Sequence, residues 1–181
     1  PNTFRRLFGE GSLNAAFVPS YSKELVKSEK KSRDFANEIF NFLTFFLLAL
    51  VILVEIFMPY FVSLIAPGFK SDPEKFLLAT ELTKITFPFI LFVSLASFFS
   101  AILNSHDKFA AASAAPIILN IILIGTLLFG SYLQDKLVVY MSYGVSIAGF
   151  IQAIFLLFFV NDFFTPKVTF NLKISKQVKI F

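Results

Sequence analysis

The sequence predicts an all-α, polytopic helical membrane protein, and its composition and charge placement support that fold class. Of its 181 residues, 56% are hydrophobic and 15% are charged, whereas a soluble domain carries about 25% charged residues. The charged residues cluster in short segments between apolar runs. Those runs are long enough for helices that cross a bilayer, which takes about 20 residues. We therefore expect residues 1–181 to form a single bundle of membrane helices.

Polar and turn-rich segments divide the predicted bundle into five helices. The basic linker at residues 20–34 separates the first two, and its residues could continue the first helix into water before a short turn. Pro67-Gly68 stops the second helix, and Asp72-Pro73 starts the third. Residues 104–108 form a polar turn before the fourth. The predicted helices cover about residues 1–22, 35–66, 74–103, 109–131 and 137–160, and a basic tail follows at 161–181.

Prolines and small residues within the apolar runs indicate how the helices bend and pack. The small residues Ser142, Ser146 and Gly149 recur at helical spacing, so they predict a face for close contact between helices. Proline lacks a backbone N–H and its ring clashes with the preceding turn. Three prolines are therefore expected to interrupt or end helices: Pro59, Pro88 and Pro116.

The first predicted helix carries the candidate binding residues. At helical spacing, Asn2 and Arg5 share one face with Gly9, while Arg6 and Glu10 stand one turn apart and can pair. A charged side chain inside the bilayer is costly, so it usually faces a cavity or a partner. Guanidinium forks suit phosphate and carboxylate groups. These residues predict a water-filled cavity for an anion, and the alternative is that both arginines are interfacial anchors.

Other charged residues within the apolar runs give weaker signals. Glu55 has no ionisable companion in its run, so it is neutral, points outward or pairs across helices. Glu81 and Lys84 are spaced for a local ion pair.

Several kinds of chemistry are excluded or disfavoured. The chain has no cysteine and a single histidine, His106, which rules out thiolate metal sites and argues against a histidine cluster. We find no nucleophile–base pair, no metal-ligand cluster and no phosphate-binding glycine loop. We therefore predict no catalytic residue, metal, cofactor or nucleic-acid partner.

Stretches spread over nearly the whole chain share their order and spacing with one family. They are Pro1-Asn-Thr-Phe-Arg-Arg-Leu-Phe-Gly-Glu-Gly11, Ala16-Phe-Val-Pro19, Ala66-Pro-Gly-Phe69, Lys84-Ile-Thr-Phe-Pro88, Ser94-Leu-Ala96, Ile102-Leu-Asn104, Phe109-Ala110, Ala115-Pro116 and Leu119-Asn120. In these stretches the chain resembles the bacterial lipid II flippases known as MurJ or MviN, which belong to the multidrug/oligosaccharidyl-lipid/polysaccharide exporter superfamily.

The resemblance implies a transporter with fourteen membrane helices in two lobes. Such a protein lies in the bacterial inner membrane and is not an enzyme. It moves lipid II, the undecaprenyl-linked peptidoglycan precursor, from the inner to the outer leaflet by alternating access. This chain would be part of the N-terminal lobe, an internal piece from the second helix to the approach to the seventh. It would require the first helix and the second lobe, and membrane lipids would surround it.

The resemblance also assigns the substrate-binding residues. Asn2 and Arg5 match functionally critical positions in the family's cationic cavity, and Arg6 and Glu10 match the rest of that motif. Glu55 matches no motif of the family. The resemblance therefore implies a substrate-binding set of Asn2, Arg5, Arg6 and Glu10.

Three other function classes fit the sequence less well than a lipid II flippase does. Asn-x-x-Arg-Arg and Ala-Pro-Gly-Phe argue against a related polysaccharide-repeat flippase or multidrug exporter. A membrane enzyme acting on polyprenyl phosphates needs acidic metal ligands, and only scattered acids such as Asp107 and Asp162 are present. A membrane scaffold would explain the helices but not the arginines.

The basic residues predict the orientation of the bundle. The linker, the 104–108 turn and the tail lie on one side and hold ten basic residues, whereas the opposite loops hold Lys70, Lys75 and Lys136. Short cytoplasmic loops of membrane proteins are enriched in lysine and arginine. The linker, the turn and the tail are therefore predicted to be cytoplasmic.

Cysteine labelling tests this orientation, because residues 1–181 contain no cysteine and any cysteine elsewhere in the complete protein is first replaced by serine. In intact cells, we expect the Ser28→Cys variant of the complete protein to resist an impermeant thiol reagent added from outside. Labelling of that variant without permeabilisation would show that the orientation is wrong.

Overall fold

The structure, a computed structural model, describes residues 12–132 and 136–169. Within those ranges the ordered elements are all helical, which confirms the predicted fold class. The elements are α1 (Ser12–Lys27), α2 (Glu29–Ile56), α3 (Met58–Ile65), a 3₁₀ helix (Pro67–Ser71), α4 (Pro73–Thr86), α5 (Phe89–Ser105), α6 (Phe109–Ser131) and α7 (Leu137–Val160).

Four helical segments of the described residues are long and apolar enough to cross a membrane. They are α2, the unit Pro73–Ser105 formed by α4 and α5, α6 and α7. The fifth predicted span, at residues 1–22, lies partly outside the described residues, and α1 holds its second half.

The segment predicted as a linker, residues 20–34, is helical except at Ser28. Helix α1 continues through Pro19 to Lys27, and α2 begins at Glu29. Ser28 is extended, and its hydroxyl oxygen accepts a hydrogen bond from the backbone N–H of Lys31 at 3.2 Å, so it caps α2. The first helix therefore continues into the polar segment and ends at a short turn, which is the alternative that the sequence left open for these residues.

The three prolines differ in their effects. Pro59 lies in the first turn of α3, just after the break at Phe57, and Pro88 separates α4 from α5. Pro116, in contrast, lies inside an uninterrupted α6, so that prediction was wrong. Its ring is exposed and the residue one turn earlier, Ala112, is small, so the helix can adjust locally and continue.

The break at Pro88 is stabilised from a neighbouring helix. The N–H of Ile90 bonds to the carbonyl of Phe87 at 3.1 Å, one residue closer than in a regular α-helix. The hydroxyl of Ser146, on α7, donates a hydrogen bond to the carbonyl of Ile85. A carbonyl at the break therefore finds its partner on α7.

The small residues of α7 make close contacts on two sides, as predicted. A methyl group added at Gly144 would lie 2.7 Å from the hydroxyl oxygen of Thr126 on α6. One added at Gly149 would lie 2.5 Å from a ring carbon of Phe89, at the start of α5. Helix α7 thus approaches both neighbours at positions where no side chain fits.

A phenylalanine cluster forms the core where α1, α2, α5 and the chain after α7 meet. Phe17 and Phe98 have ring centroids 4.9 Å apart, and Phe98 lies 5.9 Å from Phe164. Phe40 packs against both Phe98 and Phe164. All four side chains are buried, so this end of the bundle is held by aromatic packing.

The contact at Gly149 predicts that two matched glycine-to-alanine substitutions differ in their effect on the stability of the protein. Gly149→Ala and Gly125→Ala both raise helix propensity by about 1 kcal/mol. Only the first creates a clash, because a methyl group at Gly125 meets nothing within 4 Å. Overpacking costs about 1–3 kcal/mol, so Gly149→Ala should be less stable than Gly125→Ala by that amount. Unfolding of the two full-length variants in mixed micelles measures the difference, and equal stabilities would contradict the predicted clash.

Candidate functional site

The residues predicted to bind substrate, Asn2, Arg5, Arg6 and Glu10, lie outside the described residues, which begin at Ser12. The first helix that the structure describes, α1, begins at Ser12, two residues after Glu10. The packing of α1 therefore provides the geometry on which an assignment of these residues can be based.

Helix α1 has a packed face and an open face. Phe17, Tyr21 and Glu24 are buried against α2 and α5, whereas Pro19 and Lys23 are exposed. The ammonium group of Lys27 pairs with the carboxylate of Glu24, so the acid on the packed face is neutralised within its own helix. The described part of α1 thus fixes which side of the helix meets the bundle.

The three basic segments meet at one end of the bundle, called here the basic end. Tyr21 of α1 and His106, in the turn after α5, form a hydrogen bond of 3.0 Å between the hydroxyl oxygen and Nε2. The ring of His106 stacks on Phe163, after α7, with centroids 4.3 Å apart. Arg33 of α2 donates from Nε to the carbonyl of Phe163 at 3.0 Å. The grouping of these segments agrees with the sequence analysis.

His106 has a packing role at the basic end. Burial lowers the pKa of its imidazole below the ordinary value, and the carboxylate of Glu29 acts in the opposite direction. A lowered pKa favours the neutral ring near pH 7, and a neutral ring can stack on Phe163 and hydrogen-bond to Tyr21. Among the described residues, no group of three or more histidine, cysteine and acidic side chains is placed to hold a metal ion.

Glu55 lies near the end of α2, away from the basic end. Its Oε1 is buried and has no hydrogen-bond partner among the described residues. The basic residue close enough to interact with it electrostatically is Lys84 of α4. The predicted local pair of Glu81 with Lys84 was wrong, since no ion pair joins them in the described part of the chain. No ion pair joins Glu55 to Lys84 among the described residues either, so the alternatives for Glu55 stay open.

Two polar residues that the sequence analysis did not select bind a distant segment. Asn37 and Asn41, on α2, hydrogen-bond to the backbone of residues 167 and 169. We call residues 161–169 the strap, because they run from the end of α7 onto α2. The sequence feature that could have identified them is a pair of asparagines, four residues apart, at the start of an apolar run.

Comparison with known proteins identifies the family. The sequence model described as Lipid II flippase MurJ matches residues 1–180. A probable lipid II flippase MurJ of Rickettsia prowazekii (strain Madrid E) is 41% identical over 157 residues, covering 86% of this chain and 31% of the relative. One of Rhizobium meliloti (strain 1021) is 41% identical over 184 residues, covering 96% and 34%.

A solved structure agrees with the sequence matches. It is described as lipid II flippase MurJ in an inward closed conformation, and its TM-score to this chain is 0.74 at 31% identity. The similarity covers 96% of this chain and 35% of the solved one, so the chain spans about a third of the length of the proteins it matches. These matches show that the chain belongs to the lipid II flippase MurJ family.

Proposed function

We propose that the protein containing this chain is a lipid II flippase of the bacterial inner membrane. It moves the undecaprenyl-linked peptidoglycan precursor from the inner to the outer leaflet by alternating access and catalyses no covalent chemistry. The match of the family model over residues 1–180 carries the proposal, since it includes the arginine motif of the first helix. The relatives named as probable lipid II flippases support the substrate.

The register of α1 supports Arg5 as the main substrate contact. Eighteen residues make about five turns of an α-helix, so positions 18 apart point in nearly the same direction. Arg5 stands 18 residues before Lys23, which is exposed, and Arg6 stands 18 before Glu24, which is buried. The helix that the sequence predicts over residues 1–22 would therefore place Arg5 on the open side of α1 and Arg6 on the packed side. Asn2 lies about one turn from Arg5, and Glu10 about one turn from Arg6.

The chemistry of lipid II fits such an arginine. Its diphosphate presents oxygen pairs that a planar guanidinium binds through two parallel hydrogen bonds. At an effective dielectric constant near 20, one charge pair at about 4 Å contributes about 4 kcal/mol before desolvation costs. The polyprenyl tail can stay in lipid, so the protein needs a polar cavity only for the headgroup.

The rest of the protein completes the site in this proposal. Cationic residues of the first helix and of the second lobe line the same cavity, and the two lobes rock around it near the bilayer midplane. The basic end of the bundle faces the cytoplasm, in accord with the distribution of lysine and arginine.

Substitution of Arg5 tests the proposed site. We expect Arg5→Ala to abolish flipping in the full-length protein at near-normal abundance, and Arg5→Lys to impair it clearly. Loss of one charge-assisted hydrogen bond costs about 1.5–3 kcal/mol, or about 10- to 150-fold in affinity. The measurement is the accessibility of lipid II at the outer leaflet in cells whose only flippase is the variant.

Lys23→Ala provides a matched control for Arg5→Ala. It removes a cation from the same face of the helix, about five turns further on, at the basic end. Flipping should stay within about twofold of the native rate, because exposed lysines contribute little to stability or structure. Native flipping by Arg5→Ala would show that Arg5 is an interfacial anchor and would remove α1 from the cavity.

Glu55 is expected to be dispensable for flipping. The Glu55→Gln variant keeps the size of the side chain and removes its charge, so the electrostatic interaction with Lys84 is lost without a cavity. In the full-length protein it should support growth when the native flippase is depleted, under conditions in which Arg5→Ala does not. If Glu55→Gln fails at normal protein levels, Glu55 belongs to the transport machinery.

A further inference from the structure

The strap is anchored by two aromatic side chains. Phe164 is 1% exposed and lies in the core against Phe40 and Phe98. Phe163 stacks on the ring of His106, which is hydrogen-bonded to Tyr21. The first part of the strap therefore touches α2, α5 and, through His106, α1, while it remains joined to α7.

Two asparagines hold the second part of the strap as a neighbouring strand would. Oδ1 of Asn37 accepts from the N–H of Lys167 at 2.8 Å. Asn41 donates from Nδ2 to the carbonyl of Lys167 at 2.9 Å, and its Oδ1 accepts from the N–H of Thr169 at 2.8 Å. Because Asn41 is 3% exposed, loss of these contacts would leave a buried amide without its strap partners.

The spacing of the asparagines matches the spacing of the strap. Four residues of an α-helix rise about 6 Å, and two residues of extended chain span about 6.6 Å. Asn37 and Asn41 therefore meet Lys167 and Thr169 in register, with the strap running parallel to α2. Arg33, one turn before Asn37 on α2, binds the carbonyl of Phe163 and extends the row.

We propose that the strap is a permanent clamp, which holds the basic ends of α1, α2, α5 and α7 together as one body throughout the transport cycle. Release would require Phe164 to leave the aromatic core and would break the bonds to Asn37 and Asn41 at the same time. The clamp is a property of the fold, and its persistence during transport rests on the proposed flippase function.

The first experiment tests the asparagine contacts without any transport assay. Lys167 is exposed and is a trypsin site, so the rate of cleavage after it in the full-length protein reports opening of the strap. A typical hydrogen bond contributes about fivefold to an equilibrium constant. Asn37→Ala should therefore raise that rate about fivefold, and Asn41→Ala more, since it removes two bonds to the strap.

Asn37→Asp is the matched control, because its carboxylate still accepts from the N–H of Lys167. Its cleavage rate should stay within about twofold of the native rate. Unchanged rates in Asn37→Ala and Asn41→Ala, or equal rates in Asn37→Ala and Asn37→Asp, would show that the asparagines do not hold the strap and would overturn the proposal.

The second experiment tests whether the strap stays bound to α2 during transport. The full-length Asn37→Cys/Lys167→Cys variant is cross-linked with a short thiol reagent that a reductant can remove, and lipid II flipping is compared before and after. Residues 1–181 contain no cysteine, any cysteine elsewhere in the full-length protein is first replaced by serine, and each single-cysteine variant controls for the reagent. A permanent clamp predicts flipping within about twofold of the uncross-linked variant.

The outcomes separate the clamp from the function on which it rests. Flipping that stops on cross-linking and returns with reductant would show that the strap must release, which overturns the proposal. If native protein shows no flipping, the proposed function fails, and the trypsin rates still decide whether the asparagines hold the strap.

Discussion

The structure depends on one constraint: backbone groups withdrawn from water must find partners within the protein. Long helices meet it inside each apolar run. Where a helix breaks, the partner comes from elsewhere, as when Ser146 binds the carbonyl of Ile85 beside Pro88. Where the chain leaves α7 in an extended form, Asn37 and Asn41 take the place of a second strand. The polar side chains within the apolar helices thus mark places where regular backbone bonding ends.

The two ends of the bundle are held in different ways. At the basic end, large aromatic side chains such as Phe98 and Phe164 interlock, and the strap joins them to α2. Along α7, toward the opposite end, Gly144 and Gly149 let helices meet without intervening side chains. Such close packing suits a membrane, since lipid tails are as apolar as leucine and burial alone provides little attraction between helices. At the basic end, the aromatic packing lies beside the basic segments, where the side chains of Tyr21 and His106 also form a hydrogen bond.

The sequence predicted the features that depend on composition and local periodicity. Apolar runs predicted the all-helical class, and the spacing of Ser142, Ser146 and Gly149 predicted the close contacts of α7. Features set by distant partners were not predictable: Asn41 meets Thr169 across 128 residues. For residues 20–34 the sequence left open a helix that continues into water, and the structure shows one, since lysine and glutamate favour helices as well as solvent. Resemblance to a family selected Asn2, Arg5, Arg6 and Glu10, and their placement stays a prediction.

The continuity of α1 through Pro19 joins residues 12–18 to the basic end. Had the helix ended at Pro19, the faces seen at Lys23 and Glu24 would say nothing about residues upstream. Because α1 runs unbroken from Ser12 to Lys27, its packed face sets the rotation of the whole helix about its axis. Tyr21 fixes that rotation through His106, which in turn stacks on the strap. Contacts at the basic end therefore set the orientation of α1 from Ser12 to Lys27, and the direction of Arg5 stays a prediction from the helical spacing of the sequence.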